Sequence, residues 1–410
     1  MLKKIRVEDV RVGMHLHALE GAWLDHPFWK NRFTITDAQE LRKLQGSKVR
    51  EVWIDVVKGM DVQDVAGIPA VPAAPGDWAP EPSTQQAAPA PPDSTSMSEE
   101  LRQAADVCSR GREQVVSMFR EARLGRVVDA QDCLPLVEEI SASVMRNPGA
   151  LVSLARLKTQ DDCTFMHSVA VCALMVALAR GAGLDGEGCR EAGLAGLVHD
   201  LGKAVMPPDV LNKPGKLTDE EFALMRTHPA RGHELLQEAR GASEAMLDVC
   251  LHHHERIDGS GYPHRLTGDA ISQLARMGAI CDVYDAVTSN RPYKAGWDPA
   301  ESIARMASWQ GHFDAELFKV FVRNLGIYPV GSLVRLHSGR LAVVVEHNPQ
   351  ALTAPVVKVF YSTKSQLPIP VQRLALATGS DRIVGRESPA HWGFTHLDEL
   401  WSEGQAPRRA

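Results

Sequence analysis

The spacing of apolar residues changes along the chain, and each change predicts a different kind of element. Between residues 98 and 327, apolar positions recur every three or four residues, which is typical of amphipathic helices, and glycine and proline mark the turns. Near both ends of the chain, shorter runs alternate apolar and polar residues as strands do. The pattern therefore predicts a mainly α-helical protein with a small strand-containing module on each side.

The N-terminal pattern predicts a small module followed by a linker. Within residues 1–66, residues 10–19 and 49–57 alternate like strands, and a short helix ending near Gly46 lies between them. These elements predict an α+β module. Residues 67–97 are rich in proline, alanine and serine, a composition that cannot bury a core and that predicts an extended linker.

Two helices, at 98–122 and 132–145, are predicted in a connector over residues 98–147. Their apolar faces carry no catalytic polar group. These faces could pack against the following helices or form a homodimer, and the sequence leaves both open. Residues 148–327 then predict one nearly all-helical domain.

The pattern turns to strands again over residues 328–379, which predict a small β-rich appendage. The predicted strands are residues 331–336, 341–346, 356–361 and 369–374. Residues 380–410 predict a loosely ordered tail with a short helix near Leu397. No catalytic constellation lies in this part of the sequence.

Composition narrows the class of protein. The 410 residues carry a net charge of −6, so no basic field predicts nucleic-acid binding. Seven cysteines without a Cys-x-x-Cys pair suit a reducing compartment. The start lacks the apolar segment of a signal peptide, and the longest apolar run, residues 169–179, is too short to span a bilayer. The sequence therefore predicts a cytoplasmic protein without a membrane span.

The histidines indicate a metal site. Eight of the sixteen lie between residues 167 and 264, and three are consecutive at 252–254, shortly before a Gly-Ser-Gly-Tyr-Pro turn at 259–263. Alone, this run could equally be a surface histidine run. However, His199 and Asp200 end an apolar helix, and Asp282 lies inside another, where an unpaired carboxylate would be costly to bury. A divalent cation would remove that cost.

In this order, the motifs resemble those of the HD-GYP family, a branch of the HD superfamily of metal-dependent phosphohydrolases that cleaves the bacterial second messenger cyclic di-GMP. The motifs are His167, His199-Asp200-x-Gly-Lys203, His228-Pro229, His253-His254-Glu255-x-x-Asp-Gly-x-Gly-Tyr-Pro263, Asp282 and Arg291-Pro-Tyr-Lys294. The resemblance covers about residues 150–327 and implies an HD-type all-helical fold. Residues 3–60 resemble an uncharacterised N-terminal module that is often fused to HD-GYP domains.

The resemblance also implies a role for each motif residue. His199 and Asp200 would bridge two metals. His167 and Asp282 would complete the sphere of one metal, and His228, His253 and His254 that of the other. Glu255 would stand beside these ligands, whereas His252 precedes the motif and is interpreted as a surface histidine. Nitrogen and oxygen ligands without a thiolate suit iron or manganese first, with nickel, cobalt and zinc as alternatives.

The same resemblance implies catalytic and substrate-binding residues. Lys203 would act with His199 and Asp200 by contacting the phosphate or assisting the leaving oxygen. The substrate would be held by Arg291 and Lys294 at its second phosphate, and by Tyr262, Gly259 and Gly261 in the turn. Cys163 stands where family members with three metals carry a glutamate, which favours two metals and pGpG as the product over GMP.

The sequence thus predicts a cyclic di-GMP phosphodiesterase of bacterial signalling, and two alternatives stay open. The domain could be a slow or inactive cyclic di-GMP sensor that signals to protein partners through residues 1–66. It could also hydrolyse another nucleotide, such as cyclic GMP-AMP or a guanosine polyphosphate.

Overall fold

The computed structural model of the chain describes residues 2–19, 33–46, 49–56, 58–60, 97–156, 163–213, 215–289 and 296–402. It divides into two compact units, residues 1–88 and 89–410, and each is described by itself. The domain boundaries given above stay a prediction.

The N-terminal unit contains a four-stranded antiparallel sheet in the order β1-β4-β2-β3. Its elements are β1 (Leu2–Arg6), β2 (His15–Leu19), β3 (Phe33–Thr34), α1 (Ala38–Gln45) and β4 (Glu51–Asp55). The alternation in β4 buries Val52 and Ile54 in the core of the sheet. The strand expected at residues 10–19 begins only at His15, because Gly13 adopts a left-handed φ of 96° in the preceding turn.

Helices dominate the second unit. They are α2 (Met97–Arg123), α3 (Leu134–Arg146), α4 (Pro148–Ala155), α5 (Cys163–Gly181), α6 (Gly186–Val198), α7 (Pro208–Leu211), α8 (Asp219–Met225), α9 (His228–Glu238), α10 (Glu244–His252), α11 (Gln273–Thr288), α12 (Pro299–Ala307) and α13 (Ala315–Leu325). The predicted connector helices correspond to α2 and α3, and a 3-10 turn at Ala130–Cys133 precedes α3. The homodimer expected through this connector stays a prediction.

The core of this unit is built around α5. Every residue from Val169 to Ala179 is buried, because α5 is apolar on all sides and is surrounded by other helices. A Cβ atom at Gly196 of α6 would lie 2.9 Å from Met175 Cγ, so glycine lets α6 approach α5 closely. Among the described helices, none combines the length and the apolar character needed to cross a membrane. The predicted mainly helical fold is confirmed.

A five-stranded antiparallel sheet follows, in the order β8-β7-β6-β5-β9. Its strands are β5 (Leu333–Leu336), β6 (Arg340–Glu346), β7 (Val356–Ser362), β8 (Leu367–Ala375) and β9 (Ile383–Arg386). The sequence prediction left β9 in a loose tail, and this was wrong, because β9 pairs with β5. After β9 come α14 (Pro389–Trp392) and a 3-10 helix, Leu397–Leu400, near the predicted terminal helix.

Asp298 joins the helices to this sheet. It caps the N-terminus of α12, and its carboxylate oxygens accept hydrogen bonds from the backbone N–H groups of Ala300 (2.9 Å), Glu301 (3.0 Å) and Leu333 (3.2 Å). Leu333 begins β5, so one carboxylate fastens a helix and a strand together. Despite these hydrogen bonds, burial of the carboxylate raises the pKa of Asp298 to about 6.

Candidate metal centre

Five helices bring the predicted ligands to one place, mostly from their ends. His199 is the C-cap of α6, and Asp200 follows it. His228 is the first residue of α9, and His253 is the C-cap of α10. His167 and Asp282 instead project from within α5 and α11. Helix ends free side chains from the packed interface, so several ligands can converge without breaking the helical core.

The first trio consists of His167, His199 and Asp282, and all three are buried. His167 Nε2 lies 3.3 Å from His199 Nε2 and 3.0 Å from Asp282 Oδ1. One ligand atom from each residue lies within 4.8 Å of the others, which is close enough to surround one cation.

The second trio consists of His228, His253 and His254. The Nε2 atoms of His228 and His253 are 3.3 Å apart, and the rings of His253 and His254 lie 4.1 Å apart between centroids. His254 also turns its Nδ1 toward the first trio, 3.7 Å from Asp282 Oδ2. The two trios therefore adjoin.

Asp200 lies between the trios and presents one oxygen to each. Its Oδ2 is 3.3 Å from His199 Nε2 and 3.4 Å from His167 Nε2. Its Oδ1 is 3.2 Å from His228 Nε2 and 3.7 Å from His253 Nε2. Asp200 is fully buried, and Oδ1 has no hydrogen-bond partner. A buried carboxylate oxygen without a donor is costly, and a cation would satisfy it.

In three of the histidines, the hydrogen bond made by Nδ1 determines the protonation of Nε2, which faces the centre. The Nδ1 atoms of His199, His228 and His253 donate to the backbone oxygens of Gly196 (2.8 Å), Met225 (2.8 Å) and Cys250 (3.0 Å). A carbonyl oxygen can only accept, so each Nδ1 carries the hydrogen and each neutral ring keeps a lone pair on Nε2. Lone pairs that converge in this way repel one another unless a cation lies between them. The donor set therefore fits divalent cations.

The charge states suit the same purpose. Burial alone would raise the pKa of Asp200, but the positive charge of Lys203 leads the effects that hold it well below its usual range. Burial would also raise the pKa of Asp282. The pKa of Asp282 is nevertheless well below its usual value, mainly because of the hydrogen bond with His167. Burial lowers the pKa of His254 to about 3. At neutral pH Asp200, Asp282 and His254 are therefore in the forms that bind cations. His167 differs, because burial, which alone would lower its pKa, is outweighed by its hydrogen bonds to three carboxylates, and these raise the pKa to about 10. A bound cation would therefore have to displace its proton.

Asp285 supports the first trio, a role that the sequence analysis missed. Its Oδ2 accepts a hydrogen bond from His167 Nδ1 at 2.6 Å, and its Oδ1 accepts one from the Ser289 hydroxyl at 3.1 Å. Asp285 lies three residues after Asp282, on the same side of α11. That spacing is the signal that could have identified it.

Lys203 and the predicted substrate turn also lie at this centre. Lys203 Nζ donates to Asp200 Oδ2. The Tyr262 ring lies 4.7 Å from the His254 ring at an interplanar angle of 31°. A Cβ atom at Gly261 would lie 2.5 Å from the backbone N of Arg256, so this glycine is needed where the chain folds back on itself. Gly259 has a left-handed φ of 78° in the same turn.

Glu255 and His252 contact other partners. The buried Glu255 carboxylate accepts from the backbone N–H of His264 (2.7 Å) and of Leu266 (3.1 Å), so it anchors the loop after the turn. His252 pairs with Asp248 at 2.7 Å and with His264 at 3.1 Å, apart from both trios. Arg291, Lys294 and the Cys163 side chain lie outside the part of the chain that the structure describes.

Comparisons with known proteins agree with this architecture. The HD domain, which is found in divalent-metal-dependent hydrolases, matches residues 144–317. A domain of unknown function, DUF3391, matches residues 2–133. A Pseudomonas aeruginosa protein named cyclic di-GMP phosphodiesterase is 54% identical over 405 residues, which are 98% of this chain and 96% of that protein.

Two further relatives match shorter parts of the chain. The cyclic di-GMP phosphodiesterase response regulator RpfG of Xanthomonas campestris is 42% identical over 35% of this chain and 38% of its own length. The 3′3′-cGAMP-specific phosphodiesterase 1 of Vibrio cholerae is 38% identical over 46% of this chain and 42% of its own length. The chain therefore belongs to the HD-GYP family of HD-domain proteins.

Proposed function

We propose that this protein is a metal-dependent phosphodiesterase that hydrolyses cyclic di-GMP to pGpG. The observation that carries the proposal is the Asp200 carboxylate, which faces a histidine-rich trio with each of its two oxygens. The Pseudomonas aeruginosa relative, named for this activity and similar over nearly the whole chain, supports the choice of substrate.

Asp200 is the proposed bridge between two cations. The first trio would hold one cation, and the second trio would hold the other. His199 was expected to share the bridging role, but its Nδ1 is committed to Gly196 O, so it offers one lone pair and binds one metal. Iron or manganese suits these ligands first, and nickel, cobalt and zinc are compatible with them.

When bound, two such cations supply an activated water and neutralise the phosphodiester oxygens. The protein's own contribution is to orient the reacting groups. Lys203, held by Asp200 Oδ2, is placed to contact the attacked phosphate or to give a proton to the leaving oxygen. Tyr262, packed on His254, would border the substrate on the side of the second trio. Cys163, in place of a third-metal glutamate, supports pGpG as the end product.

A nucleotide panel tests this proposal. The purified protein is loaded with manganese or, without oxygen, with ferrous iron, and its bound metal is counted by mass spectrometry. Cyclic di-GMP, 3′3′-cyclic GMP-AMP and a guanosine polyphosphate are then followed by chromatography. We expect two metals per chain and conversion of cyclic di-GMP to pGpG. Binding of cyclic di-GMP without turnover would instead favour a sensor, and faster cleavage of cyclic GMP-AMP would change the substrate.

A pair of histidine variants provides the matched control. His199→Ala removes a proposed ligand, and we expect activity to fall by about 10²-fold or more, since the first trio loses one of its three donors. His252→Ala removes a neighbouring histidine that belongs to neither trio, and activity should stay within about twofold. Equal losses in both variants would show that the assay reports folding rather than the centre.

A further inference from the structure

Arg226 is attached to the metal centre through its backbone. It caps the C-terminus of α8, where its N–H donates to Phe222 O at 2.9 Å. The carbonyl just before it, Met225 O, accepts the Nδ1 hydrogen of His228 at 2.8 Å. The peptide bond between Met225 and Arg226 therefore orients His228 of the second trio. For this reason the backbone position of Arg226 is fixed relative to that trio.

The guanidinium of Arg226 lies over the ring of a side chain of the site. Its Cζ is 4.5 Å from the centroid of the Tyr262 ring, and the same ring lies 4.7 Å from the His254 ring. A cation–π contact of this kind restrains the guanidinium beside the site and uses none of its N–H groups in a salt bridge.

In the described part of the chain, Arg226 also has no counter-charge in contact with its guanidinium. Within the described residues, no carboxylate lies within 4.0 Å of its guanidinium. Arg231, five residues later, pairs with Glu234 at 3.0 Å. A half-buried, oriented and unpaired guanidinium beside a metal centre is suited to an anion that arrives with the substrate.

We propose that Arg226 binds the phosphodiester of the cyclic dinucleotide that is not cleaved. This inference rests on the proposed function. A cyclic dinucleotide carries two phosphodiesters, and the centre between the trios accommodates the attacked one. Lys203 is engaged by Asp200 at the attacked phosphate. At the other phosphate, Arg226 would add to the contacts that the family resemblance assigns to Arg291 and Lys294. Arg226, over the Tyr262 ring, carries a bidentate donor pair that matches two phosphate oxygens. The full charge of a phosphate satisfies this cation better than a neutral guanine edge does.

Kinetics of Arg226→Ala test the proposal. The wild-type protein is measured first, because a failure to bind or cleave cyclic di-GMP there would overturn the proposed function itself. In the variant we expect KM for cyclic di-GMP to rise about 10- to 100-fold, with kcat changed less than about threefold. Hydrolysis of bis(4-nitrophenyl) phosphate, which contains a single phosphodiester, should stay within about twofold of wild type.

Two controls separate binding from structure. Arg231→Ala removes a nearby arginine that already has a partner, and it should leave KM unchanged. Arg226→Lys keeps the charge but loses the planar fork, so its KM should fall between those of wild type and Arg226→Ala. An unchanged KM in Arg226→Ala would overturn the proposal, and so would an equal loss on both substrates, which would indicate damage to the centre.

The identity of the bound group is tested with a second nucleotide. A phosphate contact should raise KM by the same factor for cyclic di-GMP and for 3′3′-cyclic GMP-AMP, because both have the same backbone. It should also weaken the dependence of KM on salt in the variant. A loss that is larger for the nucleotide with two guanines would point to a base edge and would contradict the phosphate assignment.

Discussion

Two places in the helical unit withdraw an aspartate carboxylate from water, and they treat it in opposite ways. At the helix–sheet junction, both oxygens of Asp298 accept backbone hydrogen bonds, and burial still raises its pKa to about 6. At the candidate metal centre, Asp200 has an oxygen with no hydrogen-bond partner, and neighbouring charges hold its pKa low. Both carboxylates are structurally fixed, but only one is left chemically unsatisfied.

This difference separates a structural carboxylate from a functional one. Asp298 is complete within the protein, so nothing further needs to bind there. Asp200 is charged, buried and surrounded by histidine nitrogens whose lone pairs point at it, an arrangement that the protein alone does not stabilise. The informative feature is therefore the missing partner rather than burial itself.

The largest expected effect is the loss of activity in Asp200→Asn. The amide keeps the shape of the side chain but carries no charge, so it bridges two cations poorly. We expect kcat on cyclic di-GMP to fall on the order of 10³-fold, and bound metal to fall below two per chain. Steady-state kinetics and elemental analysis measure both quantities. If more than about a tenth of the activity remained with full metal content, Asp200 would not be a functional carboxylate, and its proposed difference from Asp298 would be contradicted.

Asp298→Asn should act on stability instead, through a constant cost for the Leu333 hydrogen bond, which an amide nitrogen cannot accept, and a gain that appears only at higher pH. A carboxyl whose pKa is raised by folding contributes stability that is complete below its unfolded pKa, near 3.8, and is lost as the pH rises through about 6. The asparagine does not titrate and can still cap α12. From pH 4 to pH 7.5, the variant should therefore gain about 2 kcal/mol in free energy of unfolding relative to wild type.

Urea unfolding of both proteins across this pH range measures that difference, and effects of other groups cancel because they are common to both. Activity at neutral pH should stay within about twofold of wild type. A difference in stability that does not change with pH would show that the Asp298 carboxyl is not desolvated as its pKa implies.

Asp285→Asn sharpens the comparison with an intermediate case. Asp285 is satisfied by hydrogen bonds, as Asp298 is, but one of its partners is His167 of the first trio. Removing its charge should weaken metal retention or activity about 10- to 100-fold, because the carboxylate orients His167 and increases its basicity. Competition with a chelator measures metal retention. Ser289→Ala, which removes the donor to the other oxygen, is the control and should change retention less than threefold or so.

The helices and the histidine and aspartate motifs of the centre could be predicted from the sequence, because both depend on local spacing and residue type. The supporting contacts were not predictable in the same way. Asp285 meets His167 across 118 residues of chain, so its spacing from Asp282 could indicate a place at the centre but not the histidine that it supports. The contacts of Arg226 with Tyr262 and of Glu255 with His264 likewise depend on how the loops fold against each other, which the local sequence does not reveal. The strand β9 has only four residues, too few for a clear alternation, so its pairing with β5 identifies it.

The ligands come from five helices, and this has a consequence for how the chain is held together. A cation in the first trio would close a loop of 32 residues between His167 and His199, and one in the second trio would close 25 residues between His228 and His253. These would be reversible cross-links, whose strength follows the concentration of free metal. Each tenfold rise above the dissociation constant adds about 1.4 kcal/mol to the folded state. The supply of metal would then set the stability of the helical unit as well as its rate of catalysis.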